Sequence, residues 1–104
     1  MAEQFKVVST ATDGHLEIPL RGRFTFADYS SFRKTVDDAL GEKPKRLTID
    51  MTGLEFIDSA ALGMLLLARD EASKINAVVD IRNASGQVVR VLEVARFKTL
   101  FEFH

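Results

Sequence analysis

Apolar and polar positions alternate with two different periods along this chain, and each change of period marks a new element. Phe5 to Thr10, rich in Val, Ser and Thr, reads as a first strand. Asp13-Gly14 is a turn signal, and Leu16, Ile18 and Leu20 then alternate with polar neighbours, so an opening β-hairpin is expected. Pro19 falls inside the second strand and cannot donate a ladder hydrogen bond, which predicts an edge or a bulge. Gly22-Arg23-Phe24-Thr25 is expected to break that strand. A helix from about Ala27 to Leu40 follows, with Phe32, Val36, Ala39 and Leu40 on one face. Thr25 or Asp28 is placed to cap its start, and Gly41 to end it in a left-handed conformation. Arg46 to Met51 reads as a short strand, with Gly53 turning the chain after it.

Helical periodicity returns from Ser59 to Ile75. Ala77 to Ile81 reads as the next strand. Ser85 is placed to cap a third helix, Gly86 to Ala95, with Val88, Val89, Leu92 and Ala95 buried. Leu100 to Phe103 closes the chain as an edge strand; the eight phenylalanines are expected to be mostly core, and the alternative for Phe101 and Phe103 is to line an edge open to self-association. After the hairpin, strands alternate with helices, which predicts a mostly parallel sheet covered by helices.

Composition narrows the setting. A chain of 104 residues fits one domain, spanning 1–104. A net charge of −1 without a basic run argues against nucleic-acid binding. There are no cysteines, which removes disulfides and thiolate metal sites and suits a reducing cytosol. Met1 to Phe5 lacks the basic and apolar regions of a secretory signal, so a cytoplasmic protein is expected. The apolar run Ala60 to Ala68 has nine residues, about half of the ~20 that a membrane span needs, so no membrane insertion is expected. No nucleophile elbow, P-loop or dinucleotide fingerprint is present, and no cofactor or metal is expected. His15 and His104 read as solvated surface residues, and an enzyme is not expected.

The chemistry gathers at Asp58-Ser59, at the start of the second helix. A hydroxyl there lies near unpaired backbone N–H groups and the positive end of the helix dipole. Two roles stay open for Ser59: a plain first-turn residue, or an acceptor for phosphate. At ~100° per residue, Ala61, Leu65, Ala68, Ala72 and Ile75 form the core stripe. Ser59, Gly63, Leu66, Asp70 and Ser73 lie nearly opposite, with Leu62 and Leu67 at the flanks. An apolar outer face beside a bare glycine has two readings of equal weight, a docked partner or cover by the domain's own chain.

Phe56-Ile57-Asp58-Ser59-Ala60-Ala61-Leu62-Gly63 resembles the signature of bacterial anti-sigma factor antagonists, the single-domain members of the STAS group. That pattern is an apolar pair, then D-S-[S/T]-G-L-G and a leucine-rich helix. Gly22-Arg23-Phe24 and Val88 to Leu92 resemble other family segments, and the likeness runs through nearly the whole chain. The resemblance implies an α/β STAS-type two-layer fold: a hairpin start, then alternating helices and strands, with helices on one face of a mixed, mostly parallel sheet. It implies an anti-sigma factor as partner, or a serine kinase of histidine-kinase-like ATPase fold. Ser59 would be the phosphoacceptor, reset by a metal-dependent serine phosphatase. Asp58, Leu62, Gly63 and Leu66 would form the contact face, extended by Arg23 and Thr25. Ala61 stands where the family usually has glycine, and Thr25 where an aspartate is common. The alternative is an unphosphorylated STAS module serving as scaffold or regulatory subunit of a transporter or signalling complex.

Overall fold

A computed structural model describes Phe5, residues 7–9 and residues 13–104. Five strands form one sheet in the order β1 (Val8–Ser9), β2 (His15–Phe24), β3 (Arg46–Ile57), β4 (Val78–Arg82) and β5 (Glu102–Phe103). β1 pairs antiparallel with β2, while β2–β3, β3–β4 and β4–β5 are parallel. The remainder of the expected first strand, including Thr10, lies outside the described residues. Three helices, α1 (Tyr29–Gly41), α2 (Ser59–Ser73) and α3 (Gly86–Val94), make the crossovers. Each parallel crossover steps to the next strand in the same direction, and because such crossovers are right-handed as a rule, all three helices fall on one face.

The core lies between that helical layer and the covered face. Leu16, Ile18 and Leu20 of β2, Leu47, Ile49 and Met51 of β3, and Val79 and Ile81 of β4 are buried at matching register positions. They meet Phe32, Val36 and Ala39 of α1, Ala61, Leu65, Ala68 and Ala72 of α2, and Val88 and Leu92 of α3. The stripe read from α2's periodicity is the buried one, apart from a half-buried Ile75.

Several boundaries differ from the sequence expectation. β2 is not broken at Gly22: it runs on to Phe24, and register shifts at Pro19/Arg21 and Gly22/Arg23 absorb the irregularity. Gly22 has φ 65°, so the residue expected to end the strand makes a bulge within it. Pro19 sits in an interior strand at the first of these shifts, which matches the bulge half of the expectation. β3 likewise passes through Gly53 and ends only at Ile57. A Cβ on Gly53 would come within 3.3 Å of the Arg21 side chain, so the glycine admits the bulged neighbour.

Gly41 remains helical in α1, and Lys43 takes the left-handed conformation after the helix at φ 54°. Ser85 stands at the N-cap of α3 but its side chain makes no capping hydrogen bond. Phe101 is a core residue stacked on Phe97, with ring centroids 5.1 Å apart, so it cannot line an open edge; Phe103 is half-buried.

Candidate functional site

β3 ends at Ile57, and the next residue turns the chain into α2. Asp58 is extended, at φ −104° and ψ 174°, and its Oδ1 accepts from the Ala61 backbone N–H at 2.8 Å. This is a side-chain N-cap, and it satisfies one of the helix's unpaired donors. Ser59, the first residue of α2, is exposed.

Asp58 has a second attachment. Its Oδ2 accepts from the Phe26 backbone N–H at 3.3 Å, and its own N–H donates to the Phe24 carbonyl at 3.3 Å. The carboxylate therefore ties the start of α2 to the segment between β2 and α1. That segment is a single 3-10 turn, Phe26–Asp28, closed by a reciprocal pair of hydrogen bonds. The Thr25 hydroxyl accepts from the Ala27 N–H at 3.3 Å, and Asp28 Oδ2 accepts from the Thr25 N–H at 2.9 Å. Thr25, at the position where a carboxylate is common in the resembled family, thus builds a capping box instead. On the other side of the site, the Gln87 amide accepts from the Ile57 N–H and donates to the Ile57 carbonyl, both at 3.2 Å. All three helix starts are therefore fixed to one end of the sheet.

Of the other residues singled out from sequence, Gly63 is exposed and nothing lies within 4 Å of where its Cβ would be. Leu62 and Leu66 are half-buried and pack against the core; Leu67 is the exposed leucine of α2. Leu62 also lines a shallow apolar groove of ≈ 290 Å³ with Val91, Val94 and Ala95 of α3. Arg23 lies apart from this face. Its neighbours in register, Phe24 and Ile57, point into the core, so Arg23 and Phe56 point to the other side of the sheet. The Arg23 guanidinium sits 4.2 Å from the centroid of the Phe56 ring.

Phe26, which the sequence reading passed over, is 65% exposed. Its ring stacks on Tyr29 at 6.0 Å and 21°, and the Tyr29 hydroxyl accepts from Arg33 at 3.4 Å. That hydrogen bond, and then the charge of Asp37, raises the Arg33 guanidinium above its ordinary value. Spacing alone gives no signal for it, because its tie to Asp58 joins residues 32 apart in sequence.

The far side of the sheet carries a polar cluster. Asp80 is 0% exposed although no helix covers that side; the Thr48 hydroxyl donates to its Oδ1 at 2.6 Å and lies 2.6 Å from His15 Nε2. His104 Nε2 stands 3.4 Å from Asp80 Oδ2 and 3.7 Å from Glu102 Oε1. His104 is exposed, as expected from sequence, whereas His15 is half-buried against Thr48 rather than a solvated surface residue. Among the described residues no group of three or more His, Asp or Glu is arranged to hold a metal ion, and no helix is long and apolar enough to cross a membrane.

The STAS domain family profile matches residues 6–104. A STAS-domain containing protein of Pseudomonas aeruginosa (strain UCBPP-PA14) is 37% identical over 93 residues, 88% of this chain and 91% of that relative. SpoIIAA, an anti-sigma factor antagonist and Bacillus cell fate determinant, superposes in its phosphorylated form with a TM-score of 0.72. The identity is 17%, over 96% of this chain and 90% of that one. A sulfate transporter family protein from Wolinella succinogenes superposes with a TM-score of 0.73 at 20% identity, over 94% of this chain and 80% of that one. At these identities the two structures establish a shared fold.

Proposed function

The chain belongs to the STAS domain family, and on that footing we propose that it is an anti-sigma factor antagonist working by partner switching. Unmodified, it binds an anti-sigma factor, or a cognate serine kinase of histidine-kinase-like ATPase fold, and a sigma factor is freed. Phosphorylation of Ser59 ends the binding, and a metal-dependent serine phosphatase restores it. The reading places the protein in the cytoplasm with these partners.

One observation carries it: Ser59 is exposed at the start of α2, directly after the capping Asp58, with the open backbone of Gly63 one turn on. A partner seated there buries Leu62, Gly63 and Leu66 beside the hydroxyl, with the exposed Leu67 at the flank. Phosphate adds about −1.5 to −2 charge beside Asp58. The free protein tolerates that charge, because it lies in water at the positive end of a helix. The bound state does not, since burying an unpaired charge costs several kcal/mol and each ~1.4 kcal/mol is tenfold in affinity. The switch needs no refolding. The test is titration of the purified partner with Ser59→Ala and Ser59→Glu. Tight binding by the first and weak binding by the second is expected, and equal affinity for both would sink the reading.

The fold likeness to a sulfate transporter family protein favours a second reading, a STAS module that regulates a transporter or signalling complex without being phosphorylated. Phosphopeptide mass spectrometry of the native protein across growth states separates the two. A Ser59-modified population supports the switch, and its absence in every state supports the scaffold.

A further inference from the structure

We propose that Phe26 is an aromatic anchor of the same docking face, and that Asp58 is the positioning residue that holds it in register with Ser59. The inference rests on the partner-binding reading above and adds the chemistry of the partner: a protein surface with an apolar pocket the size of one phenyl ring, set beside uncharged ground opposite Ser59.

Three observations carry it. Phe26 is 65% exposed, whereas Phe5, Phe24, Phe32, Phe97 and Phe101 are buried. The exposed ring is also held in place. Its backbone N–H donates to Asp58 Oδ2 at 3.3 Å, the turn beneath it is closed by Thr25 and Asp28, and its face rests on Tyr29 at 6.0 Å. A ring already fixed in backbone and orientation loses little freedom when covered, which is the property of an interface hot spot.

Finally, the surface continues from it. Tyr29 lines the seam between α1 and α2 with the exposed Leu67 over the buried Met64, and the charged Arg33, Asp37 and Glu71 border it. The apolar ground thus runs from Phe26 down the α1 side of the ridge that carries Ser59 and Gly63. One carboxylate serves both ends: Oδ1 caps the helix that begins with Ser59, and Oδ2 fixes the ring.

Asparagine at 58 separates the two duties. Its side-chain oxygen can still accept from Ala61, and Asn caps helices about as well as Asp. Its amide nitrogen would face the Phe26 N–H as donor against donor. The experiment titrates the purified anti-sigma factor with wild type, Phe26→Ala, Asp58→Asn and the double variant. Amide hydrogen exchange at Phe26 is followed in parallel on the free protein.

Phe26→Ala is expected to weaken binding about thirtyfold without lowering Tm, because the side chain is exposed. Asp58→Asn is expected to lower Tm slightly while the fold is kept, to speed exchange at Phe26 and to weaken binding; added to Phe26→Ala it should cost no further affinity. Binding by Phe26→Ala within about threefold of wild type overturns the anchor, and fully additive losses overturn the positioning role. The Ser59 switch is read on other variants, Ser59→Ala against Ser59→Glu, so its failure is seen separately.

Discussion

Asp80 shows how a single residue can be misread from an alternating pattern. Its position in β4 is on the uncovered side of the sheet, where a carboxylate is expected in solvent. It is instead sealed by Thr48, its partner in register on β3, and by long side chains at the next same-face positions along the strands. Arg46 Nη1 lies 3.6 Å from Oδ1, and Arg82 Nε lies 3.7 Å from Oδ2. The Thr48 hydroxyl makes the one short hydrogen bond to it. Long side chains folding over a strand neighbour leave no trace in one-dimensional spacing, so neither this cluster nor the half-buried place of His15 in it was legible.

Thr48→Val keeps the shape and removes the donor. It is expected to destabilise the fold by about 1–3 kcal/mol in urea unfolding, the cost of an under-satisfied buried carboxylate. A value near zero would mean that the cluster is solvated.

Glu71 gives a pH effect of known sign. The hydrogen bond from Lys74, then the charge of Lys74 and of Arg33, holds its carboxyl below the usual glutamate range. A lowered folded-state value contributes stability above the unfolded-state value, and that contribution is lost as pH falls through the folded one. Wild type should therefore exceed Glu71→Gln slightly at neutral pH, and the gap should close in acid. The pair is exposed, so the gap is small. A gap that widens in acid would reverse the assignment.

At the level of elements, the order of strands and helices and the buried stripe of α2 were legible, because burial follows periods of two and of 3.6 residues. The lengths of β2 and β3 were not. Gly22 and Gly53 resemble strand breakers in isolation, but both sit within the bulged pairing of two strands, Gly53 opposite Arg21 and Gly22 opposite Leu54, a fact visible only in register. Leu66, placed opposite the core stripe by helical angle, is half-buried, while Leu67 at the flank is the more exposed of the two, a difference set by packing and not by period.

Gly63 marks the conflict between folding and binding within α2. Nothing occupies the space of a Cβ there, so Gly63→Ala should fit freely and gain up to ~1 kcal/mol of helix propensity. Thermal unfolding should then rise by several degrees, about 4–8 °C per kcal/mol for a domain near this size. Affinity for the partner should fall, since the bare backbone is where a partner can come closest. A variant that is more stable and binds undiminished would remove Gly63 from the docking face.

In the molecule as a whole, parallel strands and right-handed crossovers bring the starts of α1, α2 and α3 to one end of the sheet. Asp58 and Gln87 then lock that end together. The motif at residues 56–63 made the position of Ser59 legible. Phe26 was not, because it is joined to that motif by a contact between residues 32 apart in sequence. The core beneath is rigid and separate from the surface chemistry. Leu65→Ala, at a fully buried position, should cost about 2–5 kcal/mol by urea unfolding, whereas Ser59→Ala should leave stability nearly unchanged.

A switch made of charge alone must act on binding and spare the fold. Phosphoserine can be placed at position 59 by translation, and the purified anti-sigma factor then titrated calorimetrically against the serine and phosphoserine forms. At least a hundredfold loss of affinity is expected, about 2.7 kcal/mol, with Tm and circular dichroism matching the unmodified protein. Equal affinity of the two forms, or a loss that appears only together with unfolding, would contradict it.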